Sequence, residues 1–189
     1  MQETCTNAIT QNVSRAGVSI VIPVHNEKQS IADTLHHLRA AMENCGWPHE
    51  IIVVDDGSND GSAEEAAQAD GQIQILKHEK NRGYGAALKT GFSAARYDWF
   101  AFLDADSSYP PSDLPRLLEY AGCADMVVGD RVKYRDFSSW ARGLGKRILH
   151  PLANYLVGSK IPDLNSGMRI VRRSLVERYW PLLPDGFCF

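Results

Sequence analysis

The chain has 189 residues, 44% hydrophobic and 23% charged, with a formal net charge of −3. That length suits one domain, able to bury about 70% of the surface its unfolded chain exposes, and the composition is that of an ordinary globular protein. No apolar run approaches the roughly 18–20 residues that cross a bilayer, and no signal-peptide core opens the chain, so the expectation is a cytoplasmic protein.

The charge is unevenly spread. Residues 1–130 carry 9 Lys/Arg against 19 Asp/Glu, whereas residues 131–189 carry 11 against 4. An acidic first part can hold a cation and a basic second part can hold phosphates. Cys5, Cys45, Cys123 and Cys188 lie far apart without CxxC spacing or a paired histidine, which predicts neither a disulfide framework nor a zinc site and fits a reduced compartment. His36 and His37 are adjacent in a helical stretch and read as surface residues.

In chain order, the polar, aperiodic stretch 1–16 reads as a disordered tail. Val18 to Val24 is a short run rich in β-branched residues and predicts a buried strand. Ile31, Leu35, Leu38, Ala41 and Met42 recur at helical spacing and stop near Cys45-Gly46. Glu50 to Asp55 predicts a second strand, followed by the turn signal Asp56-Gly57-Ser58-Asn59-Asp60-Gly61 and an Ala/Glu helix. Further strands are predicted over Gln72–Lys77, Trp99–Leu103 and Met126–Gly129, with helices over Gly83–Arg96 and Ser112–Tyr120. Beyond Asp130 the rhythm gives way to a long basic stretch leading to Asp163-Leu164-Asn165-Ser166-Gly167-Met168-Arg169. Alternating short apolar strands and amphipathic helices predict an α/β fold, a mostly parallel central sheet with helices on both faces. Ligands bind such sheets at the carboxyl ends of the strands. Three polar clusters sit there: Pro23 to Glu27, Asp55-Asp56, and Asp104 to Asp106.

Two carboxylates one residue apart, as in Asp104-Ala105-Asp106, repel each other unless something positive intervenes. A hard divalent cation, Mg²⁺ or Mn²⁺, that also holds a diphosphate is the natural neutraliser. It would offset charge building on a departing nucleoside diphosphate. In Asp55-Asp56-Gly57-Ser58, one carboxylate can accept from a nucleobase N–H, though the same residues also make a good capping turn. Gly83-Tyr84-Gly85-Ala86 lacks the third glycine of a dinucleotide fingerprint and does not directly follow a strand. It still opens a helix whose N-terminus, beside Arg82, could meet a phosphate or the base. Arg131, Lys133, Arg135, Arg142, Lys146 and Arg147 form a basic set suited either to an acceptor phosphate or membrane surface, or to plain solvation. Leu144, Ile148, Leu152, Tyr155 and Leu156 form a stripe suited to a membrane surface or to the core. Basic and aromatic residues do not interleave, so nucleic acid is not an expected partner.

Four blocks now stand in order: Ile20-Val21-Ile22-Pro23-Val24-His25-Asn26-Glu27, Val53-Val54-Asp55-Asp56-Gly57-Ser58, Asn81-Arg82-Gly83-Tyr84-Gly85-Ala86-Ala87 and Phe102-Leu103-Asp104-Ala105-Asp106. Together they resemble glycosyltransferase family 2. Gly129-Asp130-Arg131, Asp163 with Ser166-Gly167-Met168-Arg169, and Asp185-Gly186-Phe187-Cys188-Phe189 are similar to its dolichyl- and polyprenyl-phosphate mannosyl- or glucosyltransferase branch. His25, Asp130 and Ser107-Ser108-Tyr109 depart from that branch's pattern.

The resemblance implies a single GT-A-like nucleotide-sugar-binding domain. Residues 17–130 would form the donor part, and residues 131–189 a basic acceptor-side part, shortened relative to relatives. It implies donor binding by Pro23, Asn26, Glu27, Asp55, Asp56, Arg82, Gly83 and Asp104, and metal binding by Asp104 and Asp106. Catalytic roles fall to Asp106, to Arg131 facing phosphate and to Asp163 near the reacting centre. The implied reaction is inverting transfer of a hexose from a UDP- or GDP-sugar to a polyprenyl phosphate, on a protein peripheral to the membrane. A lipid phosphate, with a second pKa near about 6, is already largely anionic at pH 7, so Asp163 would orient rather than deprotonate it. A saccharide acceptor and a non-catalytic donor-binding module are the alternatives. A nucleotidyltransferase would need a glycine/arginine-rich loop where Pro23-Val24-His25-Asn26-Glu27 stands.

Overall fold

Seven consecutive apolar or small residues, Val18–Val24, are all buried and form β1. Such a run persists only where both faces of a sheet are covered. The computed structural model, which describes residues 16–106, 108–129, 154–155, 158 and 166–186, supplies that cover. The elements are β1, α1 (Lys28–Glu43), β2 (His49–Asp55), α2 (Ser62–Ala69), β3 (Gln74–Lys77), α3 (Tyr84–Ala94) and β4 (Trp99–Leu103). A 3₁₀ turn (Pro111–Asp113) then leads into α4 (Leu114–Leu118), β5 (Met126–Val128), β6 (Met168–Arg172) and α5 (Arg173–Tyr179).

The sheet has six strands in the order β3-β2-β1-β4-β6-β5. β3, β2, β1 and β4 are mutually parallel, while β6 runs antiparallel between β4 and β5. Alternate residues sort to opposite faces. Ile20, Ile22, Ile51 and Val53 pack with Ile31, Leu35, Leu38 and Met42 of α1 and Leu114 and Leu118 of α4. Val21, Ile52 and Val54 pack with Leu88 and Phe92 of α3 and Val176 of α5. Each fully buried Ile, Leu or Val contributes roughly 1.5–3 kcal/mol relative to exposure. The α/β fold with a mostly parallel sheet and helices on both faces is therefore as expected from the sequence.

The chain divides into two units, residues 1–128 with 167–189, and residues 129–166. The first unit is thus discontinuous in sequence, breaking off after Val128 and resuming at Gly167. In the second unit the described residues include a turn in which Gly158 N–H donates to Asn154 O at 2.9 Å. Among the expected stripe residues only Tyr155 is described, and it is exposed. The tail 1–15 and the basic set from Arg131 to Arg147 lie outside the described residues. Arg172 and Arg173 put their charge to structural use: they lie over the rings of Trp99 and Phe100 at 5.2 and 4.6 Å. Cys45 is a free thiol, whereas Cys123 is disulfide-bonded. The cysteine spacing carries no signal for that bond.

Candidate functional site

The strand order reverses between β1 and β4: the chain winds from β1 through β2 to β3 on one side, then returns to place β4 on the other. A crevice at the carboxyl ends of the strands is expected at such a reversal. It begins where β1 loses its β4 neighbour, because β4 pairs only with Val18 to Val21. Pro23, buried and opposite Val54 on β2, lies beyond that point, so its missing N–H removes no bond to β4.

The loops after β1 and β2 are knitted together. His25 Nδ1–H donates to Asp56 O at 2.9 Å. Asn26, the one described non-glycine residue with positive φ (59°), accepts from Asn59 N–H at 3.0 Å. Its own N–H donates to Ser58 Oγ at 3.0 Å. Glu27 N–H donates to Ser62 Oγ at 2.9 Å, and Glu27 Oε2 accepts from Ser30 Oγ at 2.9 Å.

Asp55 and Asp56 are both buried. Asp55 Oδ1 accepts from Ser58 N–H at 3.0 Å, closing the turn. Asp56 gathers three donors: His78 Nδ1–H at 2.6 Å, Arg82 N–H at 2.9 Å and Gly83 N–H at 2.8 Å. His78 Nε2 lies 2.9 Å from Thr90 Oγ1, which links the end of β3 to α3. The sequence carries no signal for this His78–Asp56 pair, because a lone histidine after a strand points to no partner. Arg82 has an exposed side chain and a backbone turned inward to Asp56.

The first turn of α3, expected to face a phosphate or the base, is engaged in part by the chain itself. Gly85 N–H donates to Gly186 O at 2.9 Å and Ala86 N–H to Asp185 O at 3.0 Å, so backbone carbonyls already occupy the first turn of α3. Gly85 is required for that approach, because a Cβ there would overlap Pro184 O.

Asp104-Ala105-Asp106 leaves the end of β4. Ala105 is buried in the core and its carbonyl accepts from the buried Thr34 Oγ1 at 3.3 Å, so α1 anchors the centre of the motif. The flanking carboxylates are left less covered, Asp104 half-buried and Asp106 exposed. Asp106 Oδ1 accepts from Ser108 N–H at 2.9 Å. Asp104 Oδ1 accepts from Tyr84 Oη–H at 2.7 Å. Burial, then the charge of Asp104, pushes the Tyr84 phenol well above its ordinary range, which keeps it a donor. Asp104 N–H donates to Gly167 O at 3.2 Å where β6 begins, and a Cβ on Gly167 would overlap Asp104 Oδ2. Ser166-Gly167-Met168-Arg169 thus meets the paired aspartates at this glycine. Arg131 and Asp163 lie outside the described residues.

Among the described residues no three acidic, histidine or cysteine side chains are grouped to hold a metal. Two carboxylates are an incomplete cage for a divalent ion, but they suit one whose remaining ligands are water and substrate phosphates.

A mostly parallel α/β sheet with paired aspartates at its reversal point defines a GT-A type architecture. The sequence matches glycosyl transferase family 2 over residues 19–180, and the chain belongs to that family. It is 38% identical to undecaprenyl-phosphate 4-deoxy-4-formamido-L-arabinose transferase of Pseudomonas aeruginosa PAO1, over 90% of this chain and 54% of that protein. The enzyme of the same name from Edwardsiella ictaluri is 38% identical over 85% and 50%. The chain therefore spans about half the length of the curated relatives it matches. Among solved structures, mannosyl-3-phosphoglycerate synthase from Rubrobacter xylanophilus superposes with a TM-score of 0.70 at 22% identity, covering 85% of this chain and 54% of that one. Glucosyl-3-phosphoglycerate synthase from Mycobacterium tuberculosis, solved with Mn²⁺, UDP and phosphoglyceric acid, gives 0.69 at 21% identity, covering 93% and 61%.

Proposed function

We propose that this chain is a metal-dependent, inverting glycosyltransferase that moves a sugar from a nucleotide-sugar donor to a polyprenyl phosphate. The observation that carries this reading is the seating of Asp104 and Asp106 at the sheet's reversal point, anchored through Ala105 with both carboxylates left outside the core. The named function of the curated relatives supports undecaprenyl phosphate as the acceptor. Those relatives carry a modified pentose rather than a hexose, so a donor panel must include both.

Asp104 and Asp106 would hold a Mg²⁺ or Mn²⁺ ion, and the Mn²⁺ bound by a neighbour of the same fold supports this choice. That ion would stabilise negative charge on the leaving diphosphate. Pro23, Asn26, Glu27, Asp55 and Asp56 would form the nucleotide side of the crevice, with the exposed Arg82 side chain facing the donor. The acceptor phosphate oxygen forms a bond to the anomeric carbon as the bond to the diphosphate breaks, and the electron pair leaves with the nucleoside diphosphate. Arg131 would neutralise the acceptor phosphate, and Asp163 would orient it. No helix among the described residues is long and apolar enough to cross a membrane. A peripheral cytoplasmic-face location is part of the proposal.

The test is transfer of labelled sugar from a panel of UDP- and GDP-sugars to undecaprenyl phosphate with Mn²⁺ or Mg²⁺, counting the organic phase. Label that disappears in Asp104→Ala and with chelator is the expected result. Label reaching only a saccharide, or donor binding without turnover, would replace the lipid acceptor with one of the two alternatives.

A further inference from the structure

We propose that Tyr84 is a positioning residue that fixes the Asp104 carboxylate for the metal and diphosphate; this rests on the reading of Asp104 given above. Tyr84 opens α3, its ring is packed against the second core cluster, and its hydroxyl lies 2.7 Å from Asp104 Oδ1. The start of α3 is itself held on two sides. Asp56 Oδ2 takes Gly83 N–H at 2.8 Å, and Asp185 and Gly186 carbonyls take the N–H groups of Ala86 and Gly85 at 3.0 and 2.9 Å. A phenol mounted on a helix end clamped in this way cannot follow a wandering carboxylate; the carboxylate must come to it.

The other oxygen, Asp104 Oδ2, lies over Gly167, the one residue type that leaves it room. One oxygen is thus tied by a hydroxyl while the other lies against the Gly167 backbone. A donor on one carboxylate oxygen orients the group, and loss of such an outer partner typically weakens metal affinity about 10- to 100-fold. The sequence gives Tyr84 no such role, because its partner is 20 residues away on another element.

The test is calorimetric binding of UDP and of GDP, each with and without Mn²⁺, to the unmodified chain, Tyr84→Phe and Asp104→Ala. Phenylalanine keeps the packed ring and removes only the donor. The expected result is about a 10-fold loss in Mn²⁺-dependent affinity for Tyr84→Phe, with metal-free nucleotide binding and metal-free thermal unfolding unchanged. If Tyr84→Phe keeps the full Mn²⁺ effect while Asp104→Ala loses it, the Tyr84 assignment is overturned and the Asp104 reading stands. If Asp104→Ala also keeps it, both are overturned. Equal losses with and without Mn²⁺, together with a lower unfolding temperature, would make Tyr84 a fold residue and overturn the assignment as well.

Discussion

Asp55-Asp56 and Asp104-Ala105-Asp106 carry the same chemistry in sequence: two carboxylates at the end of a buried parallel strand. The fold treats them differently. Asp56 is 3% exposed and its oxygens take three protein donors, His78 and the backbone of Arg82 and Gly83. Asp106 is exposed, with one backbone donor on Oδ1 from the neighbouring turn. Asp56 clamps the turn that starts α3, whereas Asp106 stays at the surface. The intervening alanine accounts for part of the contrast. Ala105 takes the inward position and sends both flanking aspartates away from the core, whereas adjacent Asp55 and Asp56 follow a strand that is itself buried.

Substitution at each pair should separate the two roles. Asp104→Ala should lower kcat/KM for sugar transfer by at least about 100-fold, with a smaller loss of urea-unfolding stability than Asp56→Ala. A variant that keeps its activity would remove Asp104 from the site. Asp56→Ala should do the reverse in its main effect. Stranding the buried His78 and the N–H groups of Arg82 and Gly83 is expected to cost about 3–5 kcal/mol, read as a lower urea midpoint. A midpoint within the error of the parent would mean that the clamp is not structural.

The start of α3 offers a third, smaller comparison, because Asp56 holds it from one side and the Asp185–Gly186 carbonyls from the other. Gly85→Ala places a methyl against backbone that cannot rotate away, and should cost about 1–3 kcal/mol. Amide exchange at Gly85 and Ala86 should quicken more than at Gly83. Uniform protection at all three would deny the two-sided clamp.

Much of this was legible in sequence for identifiable reasons. β1 and β2 announce themselves because burial on both faces demands unbroken apolar runs, and helix α1 because its one-sided burial spaces Ile31, Leu35, Leu38 and Met42. β6 was missed. Met168-Arg169-Ile170-Val171-Arg172 mixes arginines into a short strand, and its insertion between β4 and β5 depends on partners more than 40 residues earlier in the chain. The paired aspartates stand out in sequence because they follow directly on the apolar run Trp99–Leu103. Tyr84, His78 and Gly167 do not, since each acquires its role from an oxygen on a remote element.

The smallest expected effect tests the outer rim of the first pair. Asp60 accepts from the Ser62 hydroxyl and from the N–H groups of Ser62 and Lys28, tying the start of α1 to the start of α2. The Ser62 hydroxyl leads in holding its carboxyl below the usual range, partly opposed by desolvation. A carboxyl depressed on folding lends stability that is present above its unfolded value, near about 3.9, and lost as pH falls through the lower folded value. Asp60→Asn should therefore lower stability above about pH 4, flatten the fall in stability below it and leave neutral-pH sugar transfer unchanged. An unaltered acid limb would show that these contacts follow the loop's shape rather than hold it. A loss of transfer at neutral pH would instead tie this rim to the nucleotide side of the crevice, where Asn26 and Glu27 share the same loop.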